Sequence, residues 1–295
     1  MTVEGSISTR RDFLAKSAAS ATAIATGLMT KPACAKSSDE FGGLKVGVQS
    51  YCYHRFDVLT AIKEISGLGL NYIELYPGHS PIDASADEFK QLQSMLADHD
   101  LNPISIGVLA FGNDHDANRK NFEHAARLGV KAISADPTPD SFESVNRLVL
   151  EYKIPIAIHP HGPVGNDQLH LWHRAEIILH FVKDLDPMVG TCLDTGHLIR
   201  CAQEPFNTYL DPAQQIRAMG NRNHGIHLKD NDNKAGKNVV VGRGALNVAE
   251  VLTALREVDF QGGLSIEHEA HPEEPTPDLI ECVQVVKETI ARMDG

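Results

Sequence analysis

Two histidines close an apolar run in Pro155-Ile156-Ala157-Ile158-His159-Pro160-His161. If the run is a strand, its side chains alternate, and His159 and His161 share one face. Three later runs end in a similar way: Asp194-Thr195-Gly196-His197, His227-Leu228-Lys229-Asp230 and Glu267-His268-Glu269. An earlier run, YIELY, carries Glu74. Imidazoles and carboxylates in this mixture suit a divalent ion such as manganese, cobalt, iron or zinc, and no thiolate is placed to select zinc alone. A histidine from the first run, His159 or its competitor His161, with an aspartate, a histidine and a glutamate from the three later runs would hold one such ion per chain. An ion with open positions polarises a carbonyl and stabilises an enediolate, which is the chemistry of proton abstraction beside a carbonyl. If His159 binds metal, His161 is free to touch substrate or to move a proton near neutral pH. The alternative, a buried ion-pair network, leaves polar strand ends in need of other partners.

These residues act together only if a fold brings their strand ends to one rim. From Leu44 onward, short apolar runs alternate with longer amphipathic stretches. Strands are expected at 44–51, 72–76, 103–109, 131–135, 155–160, 189–194, 224–229 and 263–268. Helices are expected at 57–67, 85–99, 114–128, 141–151, 169–182, 211–219, 247–257 and 277–292. Asp57 and Ser141 stand at N-cap positions, and Gly67, Gly129 and Gly220 where helices should stop. Eight βα units without a break predict a closed (β/α)8 TIM barrel, a single α/β domain over 44–295. An open doubly wound sheet is disfavoured, because no G-x-G-x-x-G follows an early strand. In a closed barrel the C-terminal strand ends form the active-site rim, and the histidines and acids fall there. The long polar loop 230–246 is placed to cover that rim.

The first 35 residues read differently. Ser8-Thr9-Arg10-Arg11-Asp12-Phe13-Leu14 sets two arginines ahead of a weakly apolar stretch, and Ala33-Cys34-Ala35 has the A-x-A form of a cleavage site. This predicts a removable twin-arginine signal over 1–35 and a linker over 36–43. The export machinery of that route would deliver the chain to the periplasm or the extracellular space. The stretch is too short and too weakly apolar to span a bilayer, so no membrane contact is expected of the mature chain. Export in the folded state suits a protein that must take up its metal inside the cell, where supply is controlled. The chain has 295 residues and a formal charge of −12; the leader holds four Lys/Arg and two Asp/Glu, so its removal leaves −14. An acidic surface repels phosphate backbones and argues against nucleic acid as a partner. Cys52, Cys192, Cys201 and Cys282 form no C-x-x-C and fit neither a disulfide framework nor a zinc finger.

CLDTGH, GIHLKD and LSIEHE, in this order and spacing, resemble the xylose isomerase-like family of sugar isomerases and epimerases. The resemblance runs from Leu44 to the C-terminal helix. It implies a barrel, a small sugar or keto-sugar substrate, and a metal held by strands five to eight. Matched residue by residue, it implies Asp194, His227 and Glu267 as ligands. It also implies His197 as a substrate contact and Arg243, in VGRGAL, as an arginine that meets substrate after strand seven. Strand five departs from the pattern: His159 stands where the epimerase branch has glutamate. A metal-bound imidazole is a poor proton acceptor, so only Glu267 remains of a two-carboxylate pair. One-base chemistry, isomerisation or β-elimination, gains weight.

The expected reaction is an isomerase or epimerase step, with Glu267, His161 or Glu74 moving the proton. Glu74 could instead bind a hydroxyl or anchor a loop. Lys229 points opposite to Leu228 and shares the face of His227, so it either binds substrate or pairs with a rim carboxylate. Trp172 is a candidate to stack on a sugar ring, though a lone tryptophan on a helix more often packs into the core. Three rival functions fit the same frame: a lyase or hydratase on 3-keto-glycosides, an endonuclease IV-like phosphodiesterase, and an exported sugar-binding protein without catalysis. An oligomer is compatible with each.

Overall fold

The computed structural model describes residues 40–164, 167–233 and 236–295. The expected signal over 1–35 and the first part of the expected linker lie outside the described residues. Eight parallel strands close into a barrel: β1 Lys45–Gln49, β2 Tyr72–Leu75, β3 Asn102–Phe111, β4 Ala132–Pro137, β5 Ile156–Ile158, β6 Val189–Asp194, β7 Asn223–Leu228 and β8 Gly263–Ile266. The chain order is the spatial order, and β8 closes on β1 through the register Val46↔Leu264 and Val48↔Ile266. Strands buried on both faces read as near-continuous apolar runs, which is why VGTCL and GLSI are legible as strands.

Helices α1 Val58–Gly67, α2 Ala86–Asp98, α3 His115–Leu128 and α4 Phe142–Tyr152 follow the first four strands. Helices α5 Ala175–Val182, α6 Thr195–Arg200, α7 Pro212–Met219, α8 Val248–Glu257 and α9 Thr276–Asp294 complete the ring. Their starts follow capping chemistry. The Asp57 side chain accepts from Thr60 N at 3.0 Å, and Ser85 and Glu88 form a reciprocal capping box. Gly129 ends α3 at φ 72°, a left-handed conformation that favours glycine. Ser141, by contrast, makes no side-chain cap. Its hydroxyl donates backwards to Thr138 O at 2.7 Å. Among the described residues no helix is long and apolar enough to cross a membrane.

Two segments depart from the expected pattern. The helix expected over 169–182 begins only at Ala175, because Trp172 is buried and its indole donates to Pro137 O at 2.9 Å, which holds the preceding turn against the barrel. Ahead of that turn, Pro163–Val164 and Gln168–Leu169 pair as a short antiparallel ribbon. The loop after β7 is organised by one side chain. Asp230 accepts from the backbone N–H of Asn231 and Leu246 through Oδ1, and from Gly242 and Gly244 through Oδ2, all at 2.8–3.0 Å. This draws the loop into a knot beside the rim, and no described residue of 230–246 lines the cavity below.

Candidate metal centre

Polar groups fill the upper barrel interior where apolar side chains would ordinarily interdigitate. Glu74 on β2, Ser134 on β4, His227 on β7 and Ser265 on β8 are all buried. Above them, one ligand atom from each of His159, Asp194, His227 and Glu267 lies within 4.8 Å of the others. His159 Nε2 is 2.9 Å from His227 Nδ1 and 3.6 Å from Asp194 Oδ2. His227 Nδ1 is 2.6 Å from Glu267 Oε2 and 3.9 Å from Asp194 Oδ2. Asp194 Oδ2 and Glu267 Oε2 are buried without a hydrogen bond among the described residues, the second despite its closeness to His227, because the two are out of line. Buried polar atoms that face one another without donating or accepting are costly unless a further group satisfies them. Two nitrogens and two carboxylate oxygens turned to one point fit a divalent cation of borderline hardness.

The groups behind these atoms fix their orientation. Glu74 Oε1 lies 3.0 Å from His227 Nε2, and its two oxygens accept from Ser134 Oγ and Ser265 Oγ at 2.7 Å each. A carboxylate on the far nitrogen of a ligand histidine presents the near one to the metal. Burial opposes ionisation of Glu74, but His227 and the two serine hydroxyls hold its pKa below the ordinary carboxylate range. Burial likewise opposes a charged Glu267, but Lys229 and His227 keep it well below that range. Burial disfavours a protonated His227, yet Cys192, Glu74 and Glu267 around it push its pKa well above the ordinary value. The centre is a place where positive charge is stabilised.

Asp194 is divided between two tasks. Its Oδ1 accepts from His197 N at 2.7 Å and caps α6, while Oδ2 faces the centre. The cap sets His197 three residues on, with its Nε2 3.9 Å from Asp194 Oδ2. Gly196 between them leaves room for Lys229: a Cβ there would meet Lys229 Cγ at 2.7 Å and Asn231 Nδ2 at 2.7 Å.

A cavity of about 310 Å³ opens above His159, His227 and Glu267. His161 and His197 form one wall, with ring centroids 5.3 Å apart, and His161 also packs on His159 at 4.7 Å. Burial lowers the pKa of His161 to about 4, with His159 and His170 adding to the effect, so the ring is neutral near pH 7. The opposite side carries Gln49, Tyr51, Tyr76 and Val108, with the two tyrosine rings edge to face at 5.0 Å. Glu269 stands on the same cavity.

The expected site residues thus divide. His159, His161, Asp194, His197, His227 and Glu267 come together. Glu74 does not reach the cavity: it is closed in by Ser134, Ser265 and His227, so it orients a ligand rather than moving a substrate proton. Lys229 is buried between carboxylates, 3.1 Å from Glu267 Oε1, in hydrogen bond with Glu269 and 4.0 Å from Asp194 Oδ2. It takes the salt-bridge alternative and does not line the cavity. Arg243 pairs with Glu281 on α9 and points to solvent. Trp172 sits in the core against Phe142 and Phe181, at 5.7 and 5.1 Å, and does not line the cavity. Gln49, Tyr51, Tyr76 and Glu269 were not anticipated as site residues. Each stands at or just past the end of a barrel strand, so the rule that strand ends carry the site would have found them.

Residues 62–287 match the xylose isomerase-like TIM barrel family. The chain belongs to that family. A curated relative of the xylose isomerase-like chain, an uncharacterized protein of Methanocaldococcus jannaschii, is 30% identical over 117 residues, 38% of this chain. The match spans about a third of that relative's length, 36%. Among solved structures, an uncharacterized protein from Parabacteroides distasonis is 23% identical and aligns over 83% of this chain and 98% of its own, with a TM-score of 0.63. A D-tagatose 3-epimerase-like protein aligns over 84% and 100% at 18% identity and a TM-score of 0.65. D-Psicose 3-epimerase with D-tagatose, from Clostridium cellulolyticum H10, aligns over 83% and 97% at 17% identity and a TM-score of 0.60. At these identities the likeness is one of fold.

Proposed function

We propose that the protein is a divalent-metal-dependent isomerase or epimerase of a small sugar or keto-sugar, acting by proton abstraction beside a carbonyl. The observation that carries this reading is the convergence of His159, Asp194, His227 and Glu267, three of which, His159, His227 and Glu267, line the floor of a sugar-sized cavity. Family membership and the epimerases among the structural neighbours support it. When bound, a divalent ion would supply Lewis acidity toward a carbonyl oxygen.

The chain's own groups would do the rest. Glu267 is the cavity carboxylate placed to take the proton, and Lys229 holds its Oε1 in a fixed orientation. Neutral His161 and His197 offer ring nitrogens to sugar hydroxyls. Tyr51 and Tyr76 give an apolar wall with hydroxyl tips, a surface suited to a sugar's C–H face. His159 in place of a second carboxylate favours chemistry with one base. That supports a second reading, β-elimination from a 3-keto-glycoside.

The test is solvent deuterium incorporation into free ketohexoses and, separately, into a 3-keto-glycoside, with the metal-loaded enzyme. Interconversion with deuterium next to the carbonyl, lost in Glu267→Gln, is expected. Release of an aglycone would shift the assignment to a lyase, and no incorporation into either substrate would end both readings. Export by the twin-arginine route is part of the proposal and rests on residues 8–35 alone. Fractionation of cells expressing the full chain tests it, with loss of export expected when Arg10 and Arg11 are both changed to lysine.

A further inference from the structure

A second group of ligand-type side chains lies on the outer side of β8. His268 Nε2 and His271 Nδ1 each lie 2.8 Å from the same oxygen, Asp278 Oδ2. The three atoms belong to three places in the chain: the end of β8, the loop beyond it, and the first turn of α9. We propose that His268, His271 and Asp278 form a second divalent-metal site, for a transition ion such as zinc.

Three observations carry this. First, the group is separate from the central one. Side chains alternate along a strand, so His268 turns away from the barrel axis that Glu267 faces, and its partner is on α9. Second, the spacing suits coordination. Metal bonds of about 2.0–2.1 Å to nitrogen and oxygen set neighbouring ligand atoms about 2.8–3.4 Å apart in octahedral to tetrahedral geometry. The two 2.8 Å separations, which are also hydrogen-bond distances, lie at the lower edge of that range, and the three ligand atoms are all within 4.8 Å of one another. Third, burial is graded. The His268 ring is 1% exposed and Asp278 22%, while His271 is 76% exposed. The site is therefore anchored on one side and open to solvent on the other, as two histidines and one carboxylate with water completing the shell would be. An ion there would tie the segment carrying Glu267 and Glu269 to α9.

The experiment counts zinc bound per chain by titration calorimetry and elemental analysis, on the full chain first stripped with chelator. His271→Gly suits the test because His271 is exposed and has a φ of 51°, which glycine adopts without strain. His271→Gly and Asp278→Asn should each bind one zinc fewer per chain than the unaltered protein, whatever the central group holds. His180→Ala, which removes an exposed histidine on α5, should bind the full number. Equal stoichiometry in His271→Gly and the unaltered protein, or an equal loss in His180→Ala, would overturn the site.

Discussion

His159 Nε2 and His227 Nδ1 face each other at 2.9 Å inside the barrel, with Asp194 Oδ2 within 4 Å of both. At most one proton can lie between the two nitrogens, so one of them always presents a lone pair. A cation that takes both lone pairs replaces that proton. Manganese, cobalt or zinc should therefore raise the melting temperature. Saturation at a hundredfold excess over Kd is worth about 2.7 kcal/mol. Thermal melts with metal and with chelator measure this, and Asp194→Asn should abolish most of the difference. Equal melting points with and without metal would remove the central site.

Glu74 should act through His227. Glu74→Gln keeps the shape but removes the charge behind the ligand ring, and the serine facing the amide nitrogen must turn its hydroxyl to accept. Loss of such a carboxylate typically costs about 10–100-fold in metal affinity. A metal titration would show this as a weaker Kd, with the melting point in chelator little changed. An unchanged Kd would mean that His227 is oriented by something else.

Lys229 should show an opposite pattern. It is the buried cation among Asp194, Glu267 and Glu269, and removing one partner of a buried ion pair costs about 3–5 kcal/mol. Lys229→Met should melt well below the unaltered protein in chelator. A dication meets less positive charge in the variant, so the rise in melting temperature on adding metal should be larger. A smaller rise would mean that Lys229 helps to build the site rather than balancing its charge.

Trp172 belongs to stability rather than to substrate. Trp172→Ala should lose about 3–5 kcal/mol. Trp172→Phe keeps most of the packing and forfeits the hydrogen bond to Pro137 O. Denaturant melts give the first quantity. An unchanged KM for a turned-over ketose in Trp172→Phe is the second expectation, and a large rise in KM would restore the sugar-stacking reading.

Acid should destabilise the barrel in a window set by buried histidines. Burial lowers the pKa of His79, His124 and His224 in the folded chain. The folded state then binds fewer protons than the unfolded one, so stability is full above the unfolded value of about 6.5 and falls as pH drops through it. His124 is instructive: its Nε2 meets Ser80, while its Nδ1 is buried without a partner and would gain an unpaired N–H on protonation. Melting temperature against pH should decline below about 6.5, ahead of the carboxylate range. His124→Gln should flatten the first part of that decline, and an unaltered slope would assign it to other groups.

The barrel and its rim were legible because each depends on a local rule. Parallel strands covered on both faces leave apolar runs, and strand ends carry the chemistry, so pattern brought histidines and acids to one rim, while the resemblance singled out Asp194, His227 and Glu267 and left His159 and His161 as competitors. What could not be read was the direction in which long side chains turn. Arg243 swings outward to Glu281 and Lys229 inward to Glu267, and nothing in VGRGAL or HLKD tells the two apart. The start of α5 was hidden for a related reason: helical periodicity over 169–182 masked a turn that a single indole–carbonyl bond imposes. Tyr51 and Tyr76 were readable in principle. They closed predicted strands but carried no titratable signal near neutral pH to draw notice.

Asp194 spends one oxygen on the start of α6 and turns the other toward His159, His227 and Glu267. For mutation and selection the two uses are inseparable. A change that retunes the four-residue cluster also unmoors His197, and a change that frees the helix also alters the cluster. Variation in this lineage should therefore accumulate around Asp194, on the cavity walls at positions such as Tyr51, Val108 and His161, while the aspartate itself stays fixed. New substrates would be reached by redecorating the walls over an unchanging floor.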